Sequence, residues 1–586
     1  MEKWFIKNKD IDYKAIAKEI GISQMLSKIL INRDVFLKKD IERFLKGDIE
    51  DLHPAINMKD IDIAGELIRS AISENKKIRI VGDYDVDGVM SVFVLYTSLL
   101  KFGADVDYTV PDRVKDGYGI NESIVEQAKE DEIDLIITCD NGISAFAAVD
   151  LAKELGIKII ITDHHDLAYK IEDDKKELII PEADAVINPK NPNCDYPFKK
   201  LCGAGVAYKL IEYIYELYDL QKKDLYELLE YVSIATVCDV MDLVDENRII
   251  VKRGLELINK TQNIGLKALI DVSGIKNEIA TYHLGFIIGP TINASGRLES
   301  ALLAIDLLLC KDKAKAYEMA ENLRAINEDR KSITNIGIES IKKQIEESSL
   351  KNDKVLIVFE ADIHESVAGI IAGRIKEMYH KPTIVLTKSL LGAKGSGRSI
   401  EEYNIFEELN KCKELLKAFG GHPMAAGLSL DLEDIEKLRE KLNRITSLTE
   451  EDFYKKVYID LVLPISFLND ALMNDLNHLE PFGKGNSKPL FGEKALKINR
   501  LYKYGAKGNV LKFNLYDGRD KYIDGLIFND TLNFEEDIIE KYGKEELERL
   551  YKGQDNRVSL DMIYYPSYND YNGKRTIQVT IESYRV

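Results

Sequence analysis

Apolar residues follow two rhythms along this chain. Between residues 77 and 190, short continuous apolar runs alternate with longer stretches of helical spacing. KIRIVGDYD (77–85), DVDYTVP (105–111), DLIITCDNG (134–142), IKIIITDHHD (157–166) and ADAVINPK (183–190) read as strands, with helices such as SVFVLYTSLLKFG and ISAFAAVDLAKELG between them. Strands apolar on both faces and separated by helices predict an α/β unit with a doubly wound parallel sheet. Sites in such sheets form at the carboxyl ends of the strands.

The remaining pattern divides the chain further. Residues 1–60 read as a polar helical segment without evident chemistry, and residues 61–270 as the first α/β domain. Residues 271–350 form a helical linker; its stretch 314–348 has no proline and one glycine. A helix of that length runs ~50 Å at 1.5 Å per residue and is expected to act as a spacer. A second α/β pattern occupies 351–450, with strands KVLIVFE and PTIVLT and three glycine-rich islands, HESVAGIIAGRI, KGSGRSI and FGGHPMAAGLSL. From 454 to 586 the chain turns to short strands separated by turn signals, which predicts an all-β barrel of the OB type. No repeat of fixed period and no low-complexity tract is visible.

Composition narrows the class. The 586 residues exceed what one core holds, and 45% hydrophobic with 31% charged residues describes a globular protein. No apolar run approaches the ~18 residues of a membrane span, and the charged start MEKWFIKNKDID lacks a signal-peptide core, so a cytoplasmic location without membrane attachment is expected. Six cysteines without a CxxC pair argue against a disulfide framework or a structural zinc site. A net charge of −19 argues against a nonspecific nucleic-acid coat but not against a nucleic-acid enzyme, since a local basic groove and bound cations attract phosphate on an acidic body.

The chemistry concentrates at the predicted strand ends. Asp83, Asp85 and Asp87 alternate in IRIVGDYDVDGVM, Asp140 ends the third strand, Asp163-His164-His165 ends the fourth, and Asp239 lies in SIATVCDVMDL. Aspartates at such places also serve as caps and turn formers, but capping does not explain ligand-type residues at several strand ends at once. Asp83, Asp85, Asp87, Asp140, His164, His165 and Asp239 together, mostly oxygen donors with two imidazoles, suit a pair of divalent ions, Mn²⁺ or Mg²⁺, rather than tetrahedral zinc. Two such ions activate a water and stabilise the leaving oxygen of a phosphoryl transfer, and their charge makes the crowded aspartates tolerable.

DYDVDG, TCDNGIS and TDHHD, in this order, resemble the Asp-His-His (DHH) phosphoesterase superfamily. PDRVKDGYGI (111–120), VINPK, TVCDVMDL, GPTINASGRL (289–298), HESVAGIIAGR (364–374), GSGRS (395–399), GGHPMAAG (420–427) and LEPFGKGNSKPLF (479–491) extend the resemblance to its branch of single-strand-specific 5′→3′ DNA exonucleases, from about residue 60 to the end. The resemblance implies a DHH catalytic domain, a long connecting helix, a DHH-associated domain and an OB-fold domain. It implies that Asp83, Asp85, Asp87, Asp140, His164, His165 and Asp239 form the two-metal site, with Asp85, Asp140, His164 and Asp239 as firm ligands and Asp83 or Asp87 able to act as orienting neighbours. Some superfamily members carry a histidine where this chain has Val81.

The resemblance further implies a 5′-phosphate pocket of Arg113, Arg297, Ser396 and Arg398, with Tyr118 and Asn293 along the strand path. Arginine forks pair with phosphate oxygens, and the glycine-rich segments GSGRS and NASGR, read as loops, bring backbone donors close. His422 is expected to face the scissile phosphate as donor or acid. Tyr118 fits base stacking or core packing equally. In the tail, Tyr502, Tyr504, Tyr564, Tyr565 and Tyr568 with Lys503, Lys507 and Lys512 suit a single-strand platform, although tyrosines also fill barrels; Lys484 and Lys488, beside glycines, are stronger phosphate candidates.

The implied enzyme threads single-stranded DNA through a channel closed by the two α/β domains and the OB domain, and releases 5′-mononucleotides during recombination and mismatch repair. Single-strand-binding protein and a RecQ-type helicase are the implied partners, and a monomer is expected. A DHH phosphodiesterase for short oligoribonucleotides or cyclic dinucleotides is the alternative, disfavoured by the OB tail. A binding scaffold that has lost its metal ligands conflicts with the complete ligand set. A nucleotide-binding dehydrogenase would need GxGxxG after the first strand, and GDYDVDG is not one.

Overall fold

The computed structural model describes residues 2–113, 117–172, 175–389, 392–505, 508–518, 521–528, 531–571 and 573–586. The chain forms two compact units, Ile49–Lys455 and Met1–Asp48 with Lys456–Val586.

The first unit is built on strands β1 (Lys77–Val81), β2 (Asp105–Thr109), β3 (Leu135–Cys139), β4 (Lys158–Thr162) and β5 (Ala185–Ile187). They form a wholly parallel sheet in the order β2-β1-β3-β4-β5. Ile78, Ile80, Ile136, Ile137, Ile160 and Ile161 are buried, because helices cover both faces. The order reverses direction between β1 and β3, and a crevice opens outside the carboxyl ends at such a switch point. Helices α1 (Val86–Lys101), α2 (Gly203–Leu217), α3 (Leu229–Cys238) and α4 (Gly289–Leu298) surround that end.

Helix α5 spans Lys313–Glu347, 35 residues, with Asp312 as its N-cap. It is more than the expected spacer. Ala316, Ala320, Leu323 and Ile326 pack into the core of the first domain, and Ile338, Ile341 and Ile345 into that of the second. A stripe at three- and four-residue spacing thus belongs to two cores in succession.

The second domain carries β6 (Leu356–Phe359), helix α6 (Glu365–Tyr379), β7 (Thr383–Ser389), β8 (Gly392–Arg398), β9 (Ala418–His422) and β10 (Ala425–Leu430), with sheet order β9-β10-β8-β7-β6. GSGRS, read as a loop, lies in strand β8, and the glycine-rich island FGGHPMAAG contributes β9 and β10. NASGR lies within helix α4. At Gly395 an added Cβ would come within 2.1 Å of the Val385 carbonyl, so glycine there follows from close packing inside the sheet.

The other unit is a five-stranded closed barrel of β11 (Phe491–Tyr504), β12 (Val510–Tyr516), β13 (Tyr522–Phe528), β14 (Ser559–Tyr571) and β15 (Lys574–Arg585). The order is β11-β12-β13-β15-β14, and β14 returns to β11. Residues 1–60 depart from the helical reading. Glu2–Ile6 is a strand paired with Lys455–Ile459, and helices follow it. Leu26, Ile29, Leu30 and Ile41 from those helices share the barrel's core. Trp4 Nε1 donates to Ser583 Oγ at 3.1 Å, and the Arg585 guanidinium lies 4.1 Å from the Trp4 ring centre. Partners hundreds of residues away leave no local signature.

Leu30 is fully buried in this shared core. Leu30→Ala is expected to destabilise the barrel unit by about 2–5 kcal/mol, measured by chemical denaturation. A loss below ~0.5 kcal/mol, as at an exposed site, would show that the N-terminal helices are not part of that core.

Candidate metal centre

The strand ends set out the site residue by residue. Asp83 is buried just beyond β1. Asp85 caps α1, and its Oδ1 accepts from the Asp87 and Gly88 amides at 2.9 and 3.2 Å. Asp87 points across to the start of α2, where its two oxygens accept from the Gly203 and Ala204 amides at 2.6 and 2.7 Å. A helix N-terminus stabilises a carboxylate in this way. Asp140 follows β3 with φ +62°, a left-handed conformation that a non-glycine residue holds only under outside constraint. Part of that constraint is the buried Asn141, whose amide donates to Val81 O at 3.0 Å and Cys139 O at 2.9 Å and ties the ends of β1 and β3 together.

Asp163, after β4, accepts from the Ile143, His164 and His165 amides at 2.9, 2.7 and 3.1 Å. It also bonds His165 Nδ1 at 2.8 Å. Asp239 ends α3. Helices approach closely only where glycine allows it: a Cβ on Gly203 would lie 2.6 Å from Asp140 Cβ, and one on Gly296 of α4 would lie 2.1 Å from Tyr84 O.

These elements bring all seven expected side chains together. His164 Nε2 lies 3.1 Å from Asp140 Oδ1, 3.5 Å from Asp87 Oδ2 and 3.6 Å from Asp239 Oδ2. Asp140/His164/His165, Asp87/His164/Asp239 and Asp83/Asp85/Asp140 each place three ligand atoms within 4.8 Å of one another. Asp140 and His164 belong to more than one group. Asp83 Oδ1, Asp140 Oδ1 and both His164 nitrogens are buried without a hydrogen-bond partner. Each such atom costs about 1–3 kcal/mol unless something satisfies it. The donor set and its unsatisfied atoms fit hard divalent cations.

The electrostatics agree. Burial, then the neighbouring carboxylates, pushes Asp83 and Asp140 well above the usual carboxylate range. Burial and Asp85 push Asp87 up to about 6 against the two amides that hold it down. Burial, then His165, holds His164 down to about 3, so it is the neutral imidazole that metals bind. Burial also lowers His165, but the bond and charge of Asp163 outweigh it and raise the ring to about 9.

Beside the cluster lies a cavity of about 490 Å³ lined by Arg113, Arg297, Arg398, Ser396, Tyr84 and Tyr118, among others. Arg297 donates to Ser366 O at 2.8 Å, and Arg398 to Ser396 Oγ at 2.7 Å and Gly397 O at 2.8 Å. The Arg113 guanidinium lies 4.7 Å from the Tyr84 ring centre. None of the three pairs with a carboxylate among the described residues. Burial, then Arg113 and Arg330, lowers Arg297 to about 10, which leaves it charged at neutral pH. The one carboxylate of the lining, Glu365, is paired with Lys394 at 3.2 Å, so the three arginines leave an excess of positive charge that suits an anion. Tyr118, half exposed, joins pocket to cluster: its hydroxyl donates to Asp140 O at 2.8 Å.

Other expected residues fall differently. Asn293 does not line the cavity; its Oδ1 accepts from the Val86 amide at 3.1 Å and so braces the aspartate loop. His422 is exposed at the end of β9 and helps to lower Asp166, after the larger effect of Lys190. In the barrel unit, Lys488 lies 5.1 Å from the Tyr565 ring centre, and the loop bearing Lys484 and Lys488 is held by Asn486, which donates to Leu479 O and Pro481 O at 2.7 and 2.8 Å. Tyr564 and Tyr565 are buried, Tyr568 donates to Asp470 at 2.9 Å, and Lys503 and Lys512 pair with Glu535 and Asp524. Lys507 lies outside the described residues. Tyr502 and Tyr504 stack at 6.2 Å on the outer surface, where Arg500, Tyr522 and Phe528 were not anticipated. Asn141 and Gly203 were not anticipated as site residues, although Asn141 stands within TCDNGIS.

The sequence matches the DHH family N-terminal domain over residues 77–236, the DHHA1 domain over 352–448 and the RecJ OB domain over 459–583. Fold and centre together define a metal-dependent phosphoesterase of the DHH class, with sites for divalent cations. Similar proteins include the single-stranded-DNA-specific exonuclease RecJ of Bacillus subtilis, 37% identical over 90% of this chain and 66% of the relative. RecJ of Salmonella typhimurium is 32% identical over 95% of both chains. The crystal structure of Thermus thermophilus RecJ with Mn²⁺ matches with TM-score 0.80 at 24% identity, covering 100% of this chain and 79% of that one. Another manganese-bound exonuclease RecJ matches with TM-score 0.58 at 28% identity over 68% of this chain and 98% of that one. The chain belongs to the RecJ family. Among the described residues, no helix is long and apolar enough to cross a membrane.

Metal binding must expel the protons that Asp83, Asp87 and Asp140 hold above their ordinary range, whereas His164 is already neutral. Mn²⁺ is therefore expected to bind more tightly, and to raise the melting temperature more, at pH 8 than at pH 6. Calorimetry and thermal melts check this; equal affinity at both pH values contradicts it.

Proposed function

We propose that this protein is a single-strand-specific 5′→3′ exonuclease that hydrolyses the first phosphodiester of DNA and releases 5′-mononucleotides. The observation that carries the reading is the unpaired arginine pocket joined to the carboxylate–imidazole cluster through Tyr118. Arg113, Arg297 and Arg398 grip a terminal phosphate, and the fixed offset between pocket and cluster registers the first phosphodiester at the reacting centre. Asp85, Asp140, His164 and Asp239 would hold a pair of divalent ions, while Asp83, Asp87 and His165 would complete or orient the set. Bound ions supply activation of water and neutralisation of charge on the leaving oxygen.

Asp163 holds His165 in orientation, and Asn293 and Asn141 keep the aspartate loop in place. His422 serves as a donor toward the phosphate. Tyr118 stacks on the terminal base. In the barrel unit, the outer tyrosines and Lys484 and Lys488 bind the strand without reading sequence. The same reading assigns the protein to recombination and mismatch repair in the cytoplasm as a monomer, with single-strand-binding protein and a RecQ-type helicase as partners. Its support there is the resemblance to RecJ.

A time course on 5′- and 3′-labelled single strands with Mn²⁺, Mg²⁺ or chelator tests the reading. The 5′ label should leave first, as a mononucleotide, and only with metal; duplex should resist. Release of the 3′ label first, or hydrolysis of dinucleotides alone, rejects it. Asp140→Ala and His164→Ala should each cost at least ~100-fold in rate, since even residues behind the ligands cost about 10–100-fold. Arg398→Ala should lower the preference for 5′-phosphate over 5′-hydroxyl ends about tenfold, read from competing substrates.

A further inference from the structure

Two elements of the second domain line the cavity side by side. On strand β8, Lys394, Ser396 and Arg398 alternate along the chain, so all three project from one face, over roughly 13 Å at about 3.3 Å per residue. On helix α6, Glu365, Ser366, Gly369 and Ile370 form the facing row. The two rows meet at defined places. A Cβ on Gly369 would stand 2.7 Å from Arg398 Nη2 and 3.0 Å from Ser396 Oγ, so the missing side chain makes room for that pair. One turn earlier on α6, about 5.4 Å along the axis, the Glu365 carboxylate lies 3.2 Å from Lys394 Nζ. Arg297 of the first domain reaches the same turn and donates to Ser366 O at 2.8 Å.

Glu365 is out of keeping with this wall. Arg113, Arg297, Lys394 and Arg398 make the lining basic, and Glu365 is its one carboxylate. Its place would suit a bound anion on two counts. It is the first residue of α6, where a helix start carries partial positive charge, and it faces an ammonium group. The pair is not sealed in a core, since 25% of the Glu365 side chain and 53% of that of Lys394 are exposed. The protein's own carboxylate thus takes the anion position next to the one formed by Arg398, Ser396 and Arg297. On the reading above, the strand leaves the pocket past Tyr118, on the wall supplied by the first domain. Anything that extends beyond the terminal phosphate meets the other wall, with Glu365.

We propose that Glu365 limits the pocket to a single phosphate: it admits 5′-monophosphorylated strands and repels the further phosphates of 5′-di- and triphosphorylated ends. The proposal rests on the reading of that pocket given above. Specificity here comes from a charge set against the wrong end rather than from an added contact to the right one. The proposed reaction regenerates the accepted end. Water adds to the phosphorus of the first phosphodiester, the 3′-oxygen of the first nucleotide leaves and takes up the proton that the water gives up, and the phosphate stays on the shortened strand as its new 5′-monophosphate. The first substrate must likewise come from a reaction that leaves a 5′-monophosphate, such as hydrolysis of an internal phosphodiester.

The test compares one single-stranded sequence with 5′-hydroxyl, 5′-monophosphate and 5′-triphosphate ends, bound to the full chain and to its Glu365→Gln, Glu365→Asp and Lys394→Gln variants. Fluorescence anisotropy in chelator gives affinity, and Mn²⁺ turnover gives kcat/KM. The unaltered protein should bind the monophosphate end about tenfold more tightly than the triphosphate end, the effect of one like charge at close quarters. Glu365→Gln removes the charge and frees Lys394, and should bring that ratio to one or below. Glu365→Asp keeps the charge and should keep the preference, and Lys394→Gln, which leaves the carboxylate without its partner, should widen it. An unaltered protein that does not prefer the monophosphate end, or a ratio that survives Glu365→Gln, overturns the filter alone. A loss shared equally by all three ends in Glu365→Gln assigns the residue to the folding of α6 and also overturns it. Should Glu365→Gln not fold, the unaltered protein and Lys394→Gln decide, and a preference that narrows in Lys394→Gln overturns the filter. No difference between hydroxyl and monophosphate ends overturns the pocket reading itself, and the filter with it.

Discussion

Six carboxylates and two imidazoles crowd together at the switch point of the parallel sheet, and most are out of reach of water. Like charges at this spacing repel, and burial raises the cost of each. The protein offsets part of that cost itself: the start of α2 receives Asp87, the cap of α1 receives Asp85, and four bonds hold Asp163. What it leaves unanswered are the inward atoms of Asp83, Asp140 and His164. Divalent cations complete this balance, and the phosphoester chemistry of the family depends on them.

The architecture around the cluster follows from keeping it rigid. Asn141 ties two strand ends, Asn293 ties the aspartate loop to α4, and α4 reaches that loop because Gly296 has no side chain. Helix α5 contributes to the cores of both domains of its unit. Arg297 from α4 and Arg398 from β8 thus line one cavity beside the centre. Two fields of opposite sign lie side by side, one that draws cations and one that draws anions. On the function proposed above, a strand end with its terminal phosphate on one side and its first phosphodiester on the other answers both.

Much of this was legible along the chain because it depends on local rules. Continuous apolar runs between helical stretches predict a parallel sheet, and strand ends in such a sheet meet on one edge, so DYDVDG, TCDNG and TDHH had to lie near each other. The closed barrel and the 35-residue helix likewise follow from periodicity and turn chemistry. Where sequence reasoning failed, two structures share one local signal. GSGRS and NASGR look like loops because glycine is a common turn residue, yet the first is a strand and the second part of a helix, and a Cβ at Gly395, Gly397 or Gly296 would meet a neighbour within 2.1–2.4 Å. Tyr564, Tyr565, Lys503 and Lys512 looked like strand-binding groups, but the barrel buries the first two and pairs the others with acids.

By itself, then, the sequence determined the element types, the chemistry of the centre and which segments supply it, since residue type and period act over a few neighbours. Tertiary structure alone decided which carboxylates receive amides and which stay bare. It also put the first strand and its helices with the barrel and set Asn293 against the aspartate loop. Those outcomes depend on contacts between residues far apart in the chain, and such contacts exist only once the elements have packed.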